Sequence, residues 1–237
     1  MLIRHKQPFI IGLILAISFA AVLLIIFAPI FGDGKNGLVY SDNLFNKLSK
    51  GSSYFIPAIV KSNEAFMGRP FDFAVKMDNP EEAERAVRVF ITGGAQVGVS
   101  EGTLKVSGDL GKLLSSLLKD SDAMFRNDEG EVSARHGMDA REVLRLWHGV
   151  LTKGMKELQK AKKIEEANMV NQVLKRGVEP AYNFFGIEAQ NIGDKAGIVI
   201  ALLTFYVAYT MWWGYAIFYM FEGIGLSMKK AKVRKEI

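Results

Sequence analysis

Apolar residues are distributed along this chain in three ways. Residues 9–31, "FIIGLILAISFAAVLLIIFAPIF", run for 23 positions without a charge, and residues 196–221, "AGIVIALLTFYVAYTMWWGYAIFYMF", run for 26 more. A hydrocarbon core about 30 Å thick is crossed by roughly 20 apolar residues in helical form. Both runs therefore predict transmembrane helices, the second with length to spare for tilt. The apolar stretch of a cleaved signal peptide covers about 7–15 residues. The first run continues past that length through "AAVLLIIF", which predicts an uncleaved anchor.

Between the runs the pattern becomes periodic. "YSDNLFNKLSKG" predicts a short helix capped by Ser41 or Asp42, with Leu44, Phe45 and Leu48 on its apolar face and Gly51 at its end. A second short helix is expected over 57–66. "FDFAVKM" alternates strictly, with Phe71, Phe73, Val75 and Met77 on one face, which predicts a half-buried strand. "DNPEEAERAVRVF" predicts a helix with Asp78 or Asn79 as cap and Pro80 in its first turn, burying Ala83, Ala86, Val87 and Phe90. Six glycines within residues 93–111 argue against helix there. Val97 and Val99, then Leu104 and Val106, flank Glu101-Gly102 as a β-hairpin. An amphipathic helix opened by Asp109 follows. From Asp139 to about Phe185 apolar residues recur at helical spacing. The charged "QKAKKIEE" within this region is either the turn of a helical hairpin or an exposed stretch of one long helix, and Pro180 interrupts or kinks the pattern. "AYNFFGI" sets aromatic residues just ahead of the second run, where an interfacial helix is expected.

Charge gives these elements a direction. Residues 32–195 carry 23 basic and 23 acidic side chains, so the net charge of +5 comes from the flanks: Arg4 and Lys6 at one end, Lys229, Lys230, Lys232, Arg234 and Lys235 at the other. Excess lysine and arginine beside a span marks the cytoplasmic side. The fold class expected is a membrane protein in which two transmembrane helices, in a hairpin topology, flank an α+β, helix-rich extracytoplasmic domain with a small sheet. Its parts are a cytoplasmic tail (1–8), a first span (9–31), the outer domain (32–195), a second span (196–222) and a basic cytoplasmic tail (223–237). The inner (plasma) membrane is the expected location, with 32–195 periplasmic in a Gram-negative cell. The basic residues form no clustered folded face, so no nucleic acid is expected. The short tail is expected to hold no output domain.

Candidate chemistry is sparse. The absence of cysteine excludes disulfides, Cys-ligated zinc and thiol catalysis. The glycines of 93–111 match neither phosphate-loop spacing, and "RNDEGEVSARHG" lacks the spacing of a calcium loop, reading instead as a solvated loop with His136 in it. His148 follows Trp147 on a helix, and neither histidine has a partner at metal-ligand spacing. No catalytic motif is visible, so neither enzyme activity nor a cofactor is expected. Glu222 closes the second run. It reads either as a functional carboxylate within a span or as an interfacial residue near Lys229 and Lys230. Gly214, Gly223 and Gly225 offer flat surfaces to another helix, and Trp212, Trp213, Tyr215 and Tyr219 suit an aromatic belt.

These readings predict a non-catalytic accessory or scaffold subunit of a larger membrane complex. Its partners are other membrane subunits or further copies of itself, within the lipid bilayer. The residues expected to make the contacts are Trp212, Trp213, Gly214, Glu222 and Gly223 in the second span, with Tyr182, Phe184 and Phe185 ahead of it. The alternative is a ligand-binding sensor that signals through a separate partner, for which an apolar pocket with convergent polar groups is the signature. A third possibility is a metal- or haem-binding redox subunit using His136 or His148.

Overall fold

The computed structural model describes residues 3–226, so the basic cluster from Lys229 to Lys235 lies outside the described residues. The chain forms two compact units. One contains both long apolar helices, and the other is Asn46–Ala189.

In the first unit, α1 (Lys6–Phe27) and α10 (Ile192–Gly223) are long and apolar enough to cross a membrane. Helix α1 stops four residues before the end of the predicted run because Pro29 forces Ala28 into an extended conformation. The two helices lie antiparallel along a seam made close by glycine. A Cβ at Gly12 would sit 2.6 Å from the Met220 backbone nitrogen, and one at Gly223 would sit 2.5 Å from the Phe9 Cβ. Midway, the Phe19 ring stacks on Tyr209 at 4.1 Å and lies 4.7 Å from Trp213. The Arg4 and His5 amides both donate to the Gly223 carbonyl at 2.9 Å, satisfying an acceptor that a helix end leaves open.

Helix α2 (Gly37–Ser52) starts four residues ahead of its predicted cap, Ser41. Asn36 is the cap, its Oδ1 accepting from the Val39 amide at 2.9 Å. Leu44 and Leu48 are buried, whereas Phe45 is exposed. Helix α3 (Ile56–Asn63) follows, ending in a 3₁₀ turn, Glu64–Phe66.

The second unit is helix-rich around a three-stranded antiparallel sheet of order β1-β3-β2. The strands are β1 (Pro70–Lys76), β2 (Gln96–Ser100) and β3 (Thr103–Asp109), with Phe73 opposite Val106 and Val106 opposite Val97. Glu101 and Gly102 both take positive φ (51° and 73°), the geometry of a tight two-residue hairpin. Phe71, Phe73, Val75, Leu104 and Val106 turn into the core. Helix α4 (Pro80–Thr92) is capped by Asn79. It buries Ala83, Ala86, Val89 and Phe90, and Val87 is only partly covered. Helix α5 (Leu110–Phe125) is capped by Asp109.

Residues 128–137 depart from expectation. They form α6 (Glu129–His136) rather than a solvated loop, because Asp128 caps its start, Gly137 ends it in the left-handed conformation and Val132 turns inward. "QKAKKIEE" is the turn of a hairpin between α7 (Ala140–Lys160) and α8 (Ile164–Val173), with Lys162 at φ 61°.

His136 is consequently buried, within a polar node at the core. The fully buried Asp120 accepts from Arg135 Nη1 at 2.5 Å and from Trp147 Nε1 at 2.9 Å, and its Oδ2 lies 2.8 Å from His136 Nε2. A carboxylate only accepts, so the shared hydrogen sits on Nε2. Trp147 packs on Phe90 with ring centroids 4.4 Å apart. One carboxylate thus fixes α5, α6 and α7 together. Removing one member of a buried charged set costs about 3–5 kcal/mol, and D120A is expected to destabilise the domain by that amount. Denaturant unfolding of the full chain in micelles, followed by circular dichroism, measures it; a loss below about 1 kcal/mol would show that the node contributes little.

Candidate functional site

The charged face of α7 and the chain that returns against it enclose a cleft of about 410 Å³. Asp139 caps α7 and accepts from the Glu142 amide. The helix buries Val143, Leu146, Trp147 and Val150, so Arg141, Arg145 and His148 follow one another on its other side. The facing wall begins with a π turn, Leu174–Val178. Pro180 has no amide hydrogen, and its ring would crowd the carbonyl four residues back. Widening the helix by one residue relieves this, and the Glu179 amide bonds instead to the Leu174 carbonyl five residues back. Such turns re-aim the side chains after them and recur at functional sites. Here they are followed by α9 (Glu179–Asn183), whose Glu179, Tyr182 and Asn183 point along one side.

The cleft has an apolar floor, Leu144 and Val178, both buried. Its walls are charged. His148 Nε2 stands 3.5 Å from Glu179 Oε1, with each side chain a little under half exposed. Arg145 lies 3.7 Å from Glu142 and is 62% exposed. That glutamate is engaged more closely by Arg85, at 2.7 Å, so the Arg145 fork is loosely held. Arg141 stacks over the Phe185 ring at 4.8 Å.

The chain leaving this cleft runs directly into a second polar node. Lys50, on α2, is only 3% exposed and has no carboxylate partner among the described residues. Its ammonium donates to Asn127 Oδ1 (2.9 Å) and to the carbonyls of Phe184 (3.1 Å) and Ile187 (2.5 Å), and lies 5.2 Å from the Phe125 ring centre. Asn127, at φ 64°, completes the knot by accepting from the Gly186 amide and donating to the Ile187 carbonyl. Beside it, the Tyr54 hydroxyl donates to Asp122 at 2.6 Å. That hydrogen bond, reinforced by burial, raises the tyrosine above its ordinary pKa.

No family model matches this chain, nor does any curated protein or solved structure. Its chemistry is therefore read from its own residues.

Of the residues marked ahead of the second span, Tyr182 alone lines the cleft, 45% exposed. Phe184 and Phe185 pack against the core of the domain, in a turn and not on an interfacial helix. In α10, Gly223 is taken up by Phe9, and Trp213 lies against Phe19. The Trp212 Nε1 is covered without a partner among the described residues. A Cβ at Gly214 would meet nothing within 4 Å. Glu222 is partly buried near the end of α10, and the lysines expected near it lie outside the described residues. His136 and His148 are held by different carboxylates, Asp120 and Glu179. Among the described residues no three His, Asp or Glu side chains are grouped so as to hold a metal ion. Arg145, Glu179 and Lys50 carry no motif that singles them out.

Lys50 yields a prediction of its own. K50M removes the charged donor from three oxygens, each of which keeps one neutral donor, and the expected cost is about 1–3 kcal/mol. Burial lowers the Lys50 pKa below its ordinary value, so between the two values the unfolded chain binds the proton more tightly and folding gains as pH rises. The stability difference between wild type and K50M should widen as pH approaches the ordinary lysine value near 10.4. Chemical melts at a series of alkaline pH values measure this, and a pH-independent difference would refute it.

Proposed function

We propose that this chain is a non-catalytic accessory subunit of a membrane assembly. In this reading α1 and α10 both cross the inner membrane, with the two ends of the chain on the cytoplasmic side and the Asn46–Ala189 domain outside. Support for the direction comes from Arg4 and Lys6 at one flank and the lysine cluster after Leu226 at the other.

The observation that carries the docking role is Tyr206. Its side chain is 67% exposed on α10. Ten residues separate it from Ala196, about 15 Å along a helix, which sets its hydroxyl within hydrocarbon once the helix spans. Among the described residues nothing bonds that hydroxyl, and beyond Lys6 and Gln7 at its start α1 offers only apolar side chains and a serine that bonds its own backbone. A hydroxyl left in hydrocarbon without a partner costs several kcal/mol. An acceptor on a further transmembrane helix removes that cost. Two turns along, Gly214 gives such a helix room to approach.

Purification by a C-terminal tag in mild detergent tests the reading. A stoichiometric membrane partner should co-purify with wild type, and be lost or reduced at least about tenfold in Y206F and G214L while the α1–α10 pair stays intact. A lone chain across several gentle detergents, or a partner indifferent to both substitutions, would sink it. The topology has a separate check, because the chain has no native cysteine. Cysteine placed at Asn36 should label from outside and cysteine at Lys232 should not, and the reverse pattern would overturn the orientation.

A further inference from the structure

We infer that the cleft between α7 and the π turn is a binding site for a free α-amino acid with an apolar side chain. This goes beyond the docking role and does not depend on it.

Three features select the ligand. The first is size. At about 410 Å³ the cleft lies toward the small end of the range for small-molecule sites, about 300–1,000 Å³. The second is the arrangement of charge. One wall presents the loosely held Arg145 guanidinium, a fork suited to a carboxylate. The other presents the Glu179 carboxylate, beside His148. A simple anion gains from Arg145 but is repelled by Glu179, and a simple cation meets the converse penalty. A molecule carrying a carboxylate and an ammonium satisfies both, with Asn183 and the Tyr182 phenol as further polar partners. The third is the floor. Leu144 and Val178 lie beneath it, and the surface the cleft offers an aliphatic or aromatic side chain is mostly carbon.

Residues outside the cleft explain why its charges are available. Glu142 could neutralise Arg145, but Arg85 holds it at 2.7 Å. The other arginine of the stripe, Arg141, is occupied by the Phe185 ring. On the opposite wall the π turn brings Glu179 into the cleft, where it pairs with His148 at 3.5 Å, an ion-pair distance that leaves carboxylate lone pairs for an ammonium.

Occupancy has a route onward. Asn183 is followed at once by Phe184, whose carbonyl, with that of Ile187, is held by Lys50. A ligand that orders Tyr182 and Asn183 therefore tightens the segment that leads into α10.

Equilibrium dialysis of the full-length protein in lipid nanodiscs against the twenty common L-amino acids, one at a time, tests the proposal. At least one amino acid with an apolar side chain should bind saturably, one molecule per chain. R145M and E179Q should each weaken it at least about tenfold, and both side chains are exposed enough to be changed without disturbing the core. The deaminated and the decarboxylated analogues of the bound amino acid should each bind at least about tenfold more weakly. Hydrogen exchange of residues 178–187 should slow on binding. Absence of any saturable binding, binding unaffected by either substitution, or a deaminated or decarboxylated analogue that binds as well as its parent would each overturn the proposal. A partner lost in Y206F with amino-acid binding retained would separate this site from the docking role.

Discussion

A lysine with no counter-ion among the described residues holds the Asn46–Ala189 unit closed. Desolvating an ammonium is costly, and it is tolerated only where oxygens replace the lost water. Lys50 finds three, one from a side chain and two from the backbone, with an aromatic ring alongside. The backbone oxygens belong to the last turn of the unit, and the lysine belongs to its first helix. The unit that runs Asn46–Ala189 is thus tied at the point where the chain enters and leaves it. A carboxylate in place of the carbonyls would neutralise Lys50 from a single side chain. Two carbonyls fix the path of the backbone instead, and the path is what a segment leading into α10 needs.

The Asp120 node makes a useful contrast. There the charge is a carboxylate, its partners are an arginine, a histidine and an indole, and all four side chains come from consecutive helices. It sets the packing of α5, α6 and α7. His136, a candidate ligand by residue type, is consumed in that packing. With both buried charges committed to the fold, the ionisable groups left for a ligand are those on the exposed face of α7 and the turn opposite. Polar residues deep in this domain build it, and the ones at its surface cleft are free to bind.

Much of the architecture was legible because local rules agreed with the global fold. Strict alternation marked β1, Glu101-Gly102 marked the hairpin, and Asn79 and Asp109 announced their helices as caps. The misses share one cause. Nothing in "NKLSKG" singles out Lys50, because it meets its partners 77, 134 and 137 residues away. "RNDEGEVSARHG" has so few apolar residues that its period is invisible, and the burial of Val132 and His136 that marks α6 comes from packing on α5 and α7. The cleft escaped notice for the same reason. Arg145 and Glu179 lie on separate segments, and the widened turn that re-aims Glu179 is announced by nothing more specific than Pro180.

The three glycines marked by sequence in and just after α10 are not equivalent, and packing explains the difference. Gly223 abuts Phe9 and Gly225 abuts the Arg4 side chain, so both serve the pairing with α1, as Gly12 does from the other side. Gly214 faces open space, together with the exposed Leu203, Val207 and Met211 on the same side of the helix. Small residues drive helix association in lipid only where a partner backbone can reach them. A glycine in the interior of a helix costs roughly 0.5–1 kcal/mol relative to alanine. At Gly12 and Gly223 the α1–α10 seam returns that cost, and at Gly214 the described residues contain nothing that does. The uncompensated glycine and the unbonded Tyr206 hydroxyl are separate deficits in backbone and side chain, and the further helix proposed above would remove both if it carries an acceptor level with Tyr206.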